Sequence, residues 1–473
     1  MEFKKILGFA IGPLGAAALG LVAVPLTAWL FSPEDVGRLN LFQITVSFGL
    51  LLFVLGLDAA FVREYHGCHD LPALLKACFL PGFLMLSVGS IAAATYASEL
   101  SFGLFKISNP LIYPLVAIAI MLNYISRFLS LILRMQERGL AYSMSEIIPR
   151  ALQLLLLFGI YWFELHRNFI TLLWISVAST LAVVLLYAWN TRDQWQPALT
   201  ARTSAELQKS LLRFGTPLVF SGLAYWGLTA TSALVLRRDS TLSELGLYSV
   251  TNSFAAAAAI LQSIFTVVWA PTIYKWINEG VDMARLDKIA HQALGVVCLI
   301  FCLVGSFSWL TDYLLPEYYI NVKYLLVCAV APTLLYALSE ITSVGIGVTR
   351  RTTLTIWITL AAVAINILIS NWLVPDHGAA GAVIANAMAY IVFFIGRTEV
   401  SAKVWRQFPR VRLYIHVMVF IALAITTVLL GPVLPFHYST VWLAALPLLA
   451  LSFKAELDTV VVFVRKAQVM KNR

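Results

Sequence analysis

The chain is short of charge. Asp, Glu, Lys and Arg make up only 12% of its 473 residues, about half of what a soluble protein carries. No GxxxxGK[ST] stretch occurs, which excludes nucleotide hydrolysis by a P-loop. The glycine pair in GIGV at 345–348 stands at a helix end and does not make a dinucleotide fingerprint. Cysteine is scarce, and all five (Cys68, Cys78, Cys298, Cys302 and Cys328) lie in or beside apolar runs without paired spacing. No disulfide framework is expected. Cys298 and Cys302 share a helix face, in a segment without nearby His or carboxylate, and read as packing residues. His66, Cys68, His69 and Asp70 form a cluster of potential metal ligands, but they sit in one short loop with no second cluster to complete a site. Neither a metal nor a cofactor is expected.

What the chain has instead is apolar length. It is 60% hydrophobic with a mean hydropathy of +0.85, more than a soluble protein could keep in solution. The pattern predicts an all-α, polytopic integral membrane protein with about 14 spans, each near the ~20 residues needed to cross a ~30 Å hydrocarbon layer. The expected spans are 6–31, 41–62, 77–97, 109–133, 145–164, 170–190, 214–236, 247–272, 291–313, 323–346, 354–374, 380–397, 413–431 and 439–453. The first is too long for the apolar core of a signal peptide and is followed by many like it, so it reads as an uncleaved span.

Lys and Arg in short loops resist translocation, so their distribution orients the spans. With the N-terminus inside, 26 of the 33 fall on the cytoplasmic side and six outside (Arg38, Lys106, Arg167, Arg237, Arg238, Lys323), leaving Arg127 within a span. Both termini are then cytoplasmic. The net charge of +9 belongs to a face that meets anionic lipid headgroups and gives no reason to expect nucleic acid. The outward loops are short, the longest about ten residues.

Shifting the sequence by about 209 residues lays SPEDVGRLN on TLSELGLYS, with Gly37 on Gly246 and Asp35 on Glu244. Six spans per repeat is an even number, so the halves share one orientation, as in transporters built from parallel repeats. The expected organisation is a six-helix lobe over 1–190, a cytoplasmic linker 191–213 and a second six-helix lobe 214–397. The remaining 398–473 carries two peripheral spans and a basic tail.

Polar residues inside the spans recur at helical spacing. The hairpin Arg213–Tyr274 carries Ser221, Tyr225, Thr229 and Ser232 on its first helix, and Tyr248, Asn252, Gln262 and Thr266 on its second. Such stripes face either a wet cavity or another helix to which they hydrogen-bond, because lipid would leave them unpaired. The fourth span presents Asn123, Arg127, Ser130 and Arg134 at steps of four, three and four. A charge at the bilayer centre costs about 2.5–3.5 kcal/mol on insertion scales, so Arg127 needs a purpose: a place in a cavity wall, or a structural partner such as Asp58 or Glu340. Arg63 and Glu64 stand at the end of the second span, as an interfacial pair or as part of the site. Tyr336, Glu340 and Ser343 share a face of the tenth span, and Thr355, Thr359 and Asn366 one of the eleventh. Glu340 is the deepest acid, able to titrate or to serve structure.

The segments SPEDVGRLNL, GLDAAFVREY, RFGTPLVFSGL, SELGLYSV and APTIYK resemble recurring segments of bacterial polysaccharide and O-antigen flippases, in the superfamily that also holds the MATE exporters and lipid II flippases. The resemblance runs nearly the whole chain in order and spacing. It departs at Ser232, where the family often has an acid, and at Arg237, where it often has glycine. It implies movement of an undecaprenyl-diphosphate-linked oligosaccharide from the cytoplasmic to the periplasmic leaflet of the inner membrane by alternating access, in transport for polysaccharide biosynthesis and not in enzymatic catalysis. H+ or Na+ would couple the transport, and contact with the polymerase machinery would follow. Under this reading Asn123, Arg127, Arg134, Arg63, Asn252, Gln262, Tyr225 and Asn366 line the substrate cavity, and Glu340 and Asp58 are the ion-coupling candidates. A MATE-like cation exporter is the alternative within the fold. A membrane polysaccharide polymerase or glycosyltransferase is the alternative from another class, disfavoured by the short outward loops.

Overall fold

In a computed structural model the described residues are 3–258, 269, 273, 276, 279, 284–434 and 438–453. They are almost entirely helical, with no strand among them. Among the described residues, ten helical segments are long and apolar enough to cross a membrane, and Leu14–Leu30 and Tyr438–Ser452 are shorter apolar helices. The all-α, polytopic architecture expected from the hydropathy pattern is the one observed. Its outward faces carry the large apolar side chains that a bilayer would cover, among them Ile91, Leu155, Trp357 and Trp372, each more than 60% exposed.

Contacts gather the chain into two units, Met1–Ser249 and Val250–Arg473. In the first, α1 (Phe3–Leu30) and α2 (Pro33–Val54) are joined by only Phe31 and Ser32. The segment SPEDVGRLN, which lies between the first two expected spans, is mostly helix. Ser32 accepts the Asp35 N–H as an N-cap, Pro33 opens the first turn, and Glu34 and Asp35 lie against the positive end of the helix dipole.

The second expected span is broken. Leu55 (φ 55°) and Gly56 (φ 68°) take left-handed backbone, ending α2 and starting a short α3 (Leu57–Glu64) in a new direction. A Cβ at Gly56 would overlap the carbonyl oxygen of Gly215, so both the φ and the close approach require glycine there.

Behind this break lie α4 (Leu71–Ala93), α5 (Ala97–Phe105) and α6 (Ile112–Met135). Phe79 stacks on Phe83 and meets Phe128 edge-on. The Tyr124 hydroxyl donates to the Phe79 carbonyl at 2.6 Å, supplying the partner that a buried phenol requires. Gly82 lies flat against the Phe53 carbonyl, leaving no room for a side chain. This aromatic wall immobilises one face of α6.

Along α1, Gly12 lets α7 (Gly139–Trp162) approach closely, and its N–H donates to Ser143 Oγ at 2.9 Å, a small-residue contact suited to a lipid-solvated helix pair. After α8 (Phe169–Asn190) comes a short helix α9 (Arg192–Thr200). Lys76 anchors its end by donating to the carbonyls of Leu199 and Ala201. Finally α10 (Ala205–Asp239) packs on α2, α3 and α4, and α11 (Leu242–Ala255) follows it. The repeat in the sequence opens its second lobe with α10, whereas contacts keep α10 with the first unit.

The second unit is built around α12 (Ala284–Phe307), α13 (Val322–Ala329) and α14 (Ala331–Thr342). The eleventh and twelfth spans form one element, α15 (Thr353–Val404), broken at Gly378 (φ 50°, ψ −127°). That conformation is open to glycine alone, and it folds Gly381 back onto Leu373. The last helices, α16 (Val411–Leu430) and α17 (Tyr438–Ser452), hold fully buried Trp442, whose Nε1 donates to Thr427 Oγ1 at 2.9 Å.

Candidate functional site

Within the first unit, α2, α3, α6 and α10 enclose a cavity of about 400 Å³. Its apolar wall includes Leu50, Leu51, Leu218 and Val219, and its polar groups are Ser47, Asp58 and Arg127. The local sequence sets each position. The stripe on α6 turns Arg127 away from the aromatic wall, since Tyr124, Phe128 and Leu131 occupy the buried face. The break at Leu55 and Gly56 places Asp58 in the first turn of α3, where its Oδ1 accepts the Ala59 N–H at 2.8 Å and the helix dipole favours its charge.

The two charges meet. Arg127 Nε and Nη2 both donate to Asp58 Oδ2, at 3.0 and 2.6 Å. The arginine side chain remains 44% exposed and the aspartate 17%. The pair is therefore accessible to a solute in the cavity. The bonds fall on one carboxylate oxygen and leave Nη1 of the guanidinium outside the pair, a geometry chemically able to accept a second anion.

The other residues singled out in the sequence distribute as follows. Asn123 bonds the Ala119 carbonyl of its own helix at 2.8 Å, and Ser130 bonds that of Arg127. Arg134 is exposed at the end of α6. Arg63 stacks over the Phe214 ring at 4.5 Å and lies 3.4 Å from Glu64. Tyr225 is 41% exposed on α10, and Asn252 is half-buried on α11. Gln262 lies outside the described residues, as does Thr266. Asn366 is fully buried in the second unit, accepting from Ser370 at 3.0 Å. Of the candidates, Asp58 and Arg127 are the two that line the cavity described above.

Glu340 does not pair with Arg127. It belongs to the second unit, where Arg397 Nη1 donates to its carboxylate at 2.7 Å and to Ser339 Oγ at 2.8 Å. Arg397 also lies over the rings of Tyr336 and Phe393. The seam between α14 and α15 continues with Thr342 against Thr398 at 2.7 Å and Ser401 accepting the Gly345 N–H at 3.1 Å. Sequence reasoning placed Arg397 at a span boundary among the cytoplasmic charges. The helix runs on to Val404, which puts it inside the packed body.

Sequence reasoning also missed the aromatic group beside the cavity. Trp226 Nε1 donates to Ser47 Oγ at 3.2 Å, and its ring lies 4.7 Å from Phe48. The spacing of Trp226 behind Tyr225 was visible, but its partner on α2 was not.

The fold is that of known transporters. The lipid II flippase MurJ, solved in an inward closed conformation, matches with a TM-score of 0.69 at 13% identity, over 96% of this chain and 99% of that one. An inward-facing multidrug resistance MATE family transporter of the MOP superfamily matches at 0.56 and 18% identity, over 82% and 95%. The Vibrio cholerae MATE transporter VcmN matches at 0.56 and 14% identity, over 84% and 95%. No curated protein matches the sequence. The profile of one protein family does, over residues 3–277, which is more than half of the chain. The chain belongs to that family, described as polysaccharide biosynthesis protein.

Proposed function

We propose that the chain is a flippase of the inner membrane, with both termini in the cytoplasm. It moves a polyprenyl-diphosphate-linked oligosaccharide from the cytoplasmic to the periplasmic leaflet by alternating access of two six-helix lobes, 1–190 and 214–397. The observation that carries this reading is the half-exposed Arg127, held by Asp58 on the wall of a cavity of about 400 Å³. Membership in a polysaccharide biosynthesis family and a fold shared with MurJ support it. The excess of Lys and Arg on one side supports the orientation.

The physical problem is a diphosphate with a string of hydroxyls that cannot enter hydrocarbon unaided. Arg127 replaces water at the phosphates with charge-assisted bonds, and the hydroxyl and amide stripes, Tyr225, Asn252 and Gln262 among them, do so at the sugars. The polyprenyl tail stays in lipid throughout. Arg134 and Arg63 extend the basic route toward the cytoplasmic end, Asn123 lines it one turn to the outer side of Arg127, and anionic lipids attend the cytoplasmic face.

An arriving diphosphate competes with Asp58 for Arg127. Once displaced, the Asp58 carboxylate is left without the guanidinium as its partner, and a small cation can take that place. H+ is thus the coupling ion we assign, with Na+ as the other cation a carboxylate could accept. Glu340 spends its charge on Arg397 and is assigned a structural role, and Asn366 holds α15 through Ser370. Contact with the polymerase that receives the glycan completes the proposal.

Deleting the gene in its host tests the reading. A lost flippase leaves no polymer repeat units on the surface acceptor, whereas a lost polymerase leaves single units there. Single units in the deletion strain would refute the flippase reading. Asp58→Asn, which keeps the shape and removes the charge, is expected to retain glycan binding while flipping ceases to respond to an imposed proton gradient. An undiminished response in proteoliposomes would exclude Asp58 from coupling.

A further inference from the structure

Helix α7 carries an arginine in the middle of the membrane. The expected fifth span, 145–164, put Arg150 near its cytoplasmic end, but the helix begins at Gly139. At 1.5 Å per residue it is about 36 Å long, and Arg150 lies about 16 Å from its start. Tyr142, Glu146, Arg150 and Gln153 recur at steps of four, four and three and so share one stripe. The large exposed apolar side chains Ile148, Leu155 and Trp162 lie nearly opposite that stripe, at about 100° per residue. Lipid therefore covers one side of α7, and the arginine stands on the other. Arg150 is nonetheless exposed. On α1, Gly12 meets Ser143 and Gly15 meets Ile147, a parallel register that brings the alanines 16–18 up to the level of Arg150. Side chains that short cannot cover a guanidinium.

The charge of Arg150 is not neutralised. Arg127 has Asp58, and Arg397 has Glu340. Among the described residues, Arg150 donates to the side-chain oxygen of Gln153 at 3.1 Å and makes no ion pair. Glu146, one turn nearer the cytoplasm, accepts the Tyr142 hydroxyl and acts on Arg150 only through space. A cation held at the centre of a bilayer without a counter-charge is costly, and a neutral amide oxygen does not balance it. The place beside Arg150 suits an anion that arrives with the cargo.

We propose that Arg150 reads an acidic sugar on the glycan, one that bears a carboxylate. The inference rests on the flippase reading above and deepens it by naming the class of glycan. Arg127 stands eight residues before the end of α6 at Met135, about 12 Å from the cytoplasmic side, so Arg150 is about 4 Å farther along the route. The first takes the diphosphate, and the second takes the carboxylate of a sugar attached to it. The planar guanidinium grips both carboxylate oxygens, while Gln153 fixes its orientation. A neutral glycan leaves the arginine uncompensated in the loaded state and crosses more slowly.

The test uses the full chain in proteoliposomes with two fluorescent polyprenyl-diphosphate disaccharides that differ in one sugar, glucuronate against glucose. The native chain is expected to move the glucuronate lipid about ten-fold faster or more, the effect of one charge-assisted pair. Arg150→Gln should erase that preference by slowing the acidic lipid alone, and Arg150→Lys should keep part of it. Arg127→Ala, by contrast, should slow both lipids, because both carry the diphosphate. The unfolding temperature in detergent is a second readout, expected to hold or rise in Arg150→Gln because the substitution removes an unpaired charge. A native chain that moves both lipids at one rate overturns the assignment. A glutamine variant that slows both alike would place Arg150 in the diphosphate site, and one with a sharply lowered unfolding temperature would make it structural; either result overturns it too. A native chain that moves neither lipid would instead refute the flippase reading on which the assignment rests.

Discussion

Replacing Arg127 with alanine is expected to abolish surface polysaccharide while leaving the protein at normal abundance in the membrane. Hydrogen bonds to charged groups are worth about 1.5–3 kcal/mol each, and about 1.4 kcal/mol corresponds to a factor of ten. Because Arg127 is 44% exposed, water screens part of this, and a loss of at least about ten-fold in flipping is the appropriate expectation. Arg127→Lys should fall between the two, since an ammonium keeps the charge but not the planar fork that grips two phosphate oxygens. Normal surface glycan in the alanine strain would remove Arg127 from the route. Abundance is expected to hold because the packed face of α6 is made by Tyr124, Phe128 and Leu131, which the substitution does not touch.

Arg397→Ala should behave in the opposite manner, lowering stability before it touches chemistry. Arg397 is 13% exposed and Glu340 22%, so the pair is shielded enough for the cost of breaking it to count. Removing one member of such a pair leaves the other charge stranded, typically at about 3–5 kcal/mol. The loss would appear as a sharply reduced unfolding temperature of the purified protein in detergent. Glu340→Gln retains a carbonyl oxygen to accept from Arg397 and should cost much less. The same variant separates the two roles open to Glu340: continued proton-driven flipping in the glutamine variant fits a structural role, and its loss with stability intact would make Glu340 the coupling residue instead of Asp58.

Much of this architecture could be read before any coordinates. Steps of four, three and four put Asn123, Arg127, Ser130 and Arg134 on one face because helical geometry leaves no other choice. The 209-residue shift paired Gly37 with Gly246, and those glycines meet in space. What escaped the sequence was tertiary. Leu55 is an ordinary helix former, and only the fit of Gly56 against Gly215 reveals why the chain turns there and aims Asp58 at Arg127. Glu340 and Arg397 sit 57 residues apart, and nothing local records that helix α15 carries the arginine back across α14. Asp58 and Glu340 were equally plausible partners for Arg127 on paper; the break after α2 is what favours the first.

On the function proposed above, this chain carries a diphosphate-linked glycan across a bilayer through a wet passage past Arg127. The direct measurement is reconstitution of the purified protein into liposomes bearing a fluorescent polyprenyl-diphosphate oligosaccharide in both leaflets, with reduction of the outward-facing label by a membrane-impermeant quencher. Liposomes containing the native chain should lose nearly all fluorescence as inner-leaflet lipid is brought outward, whereas those with Arg127→Ala should stop near half. A native chain that also stops near half, in the presence of a proton gradient of either sign, would contradict the account.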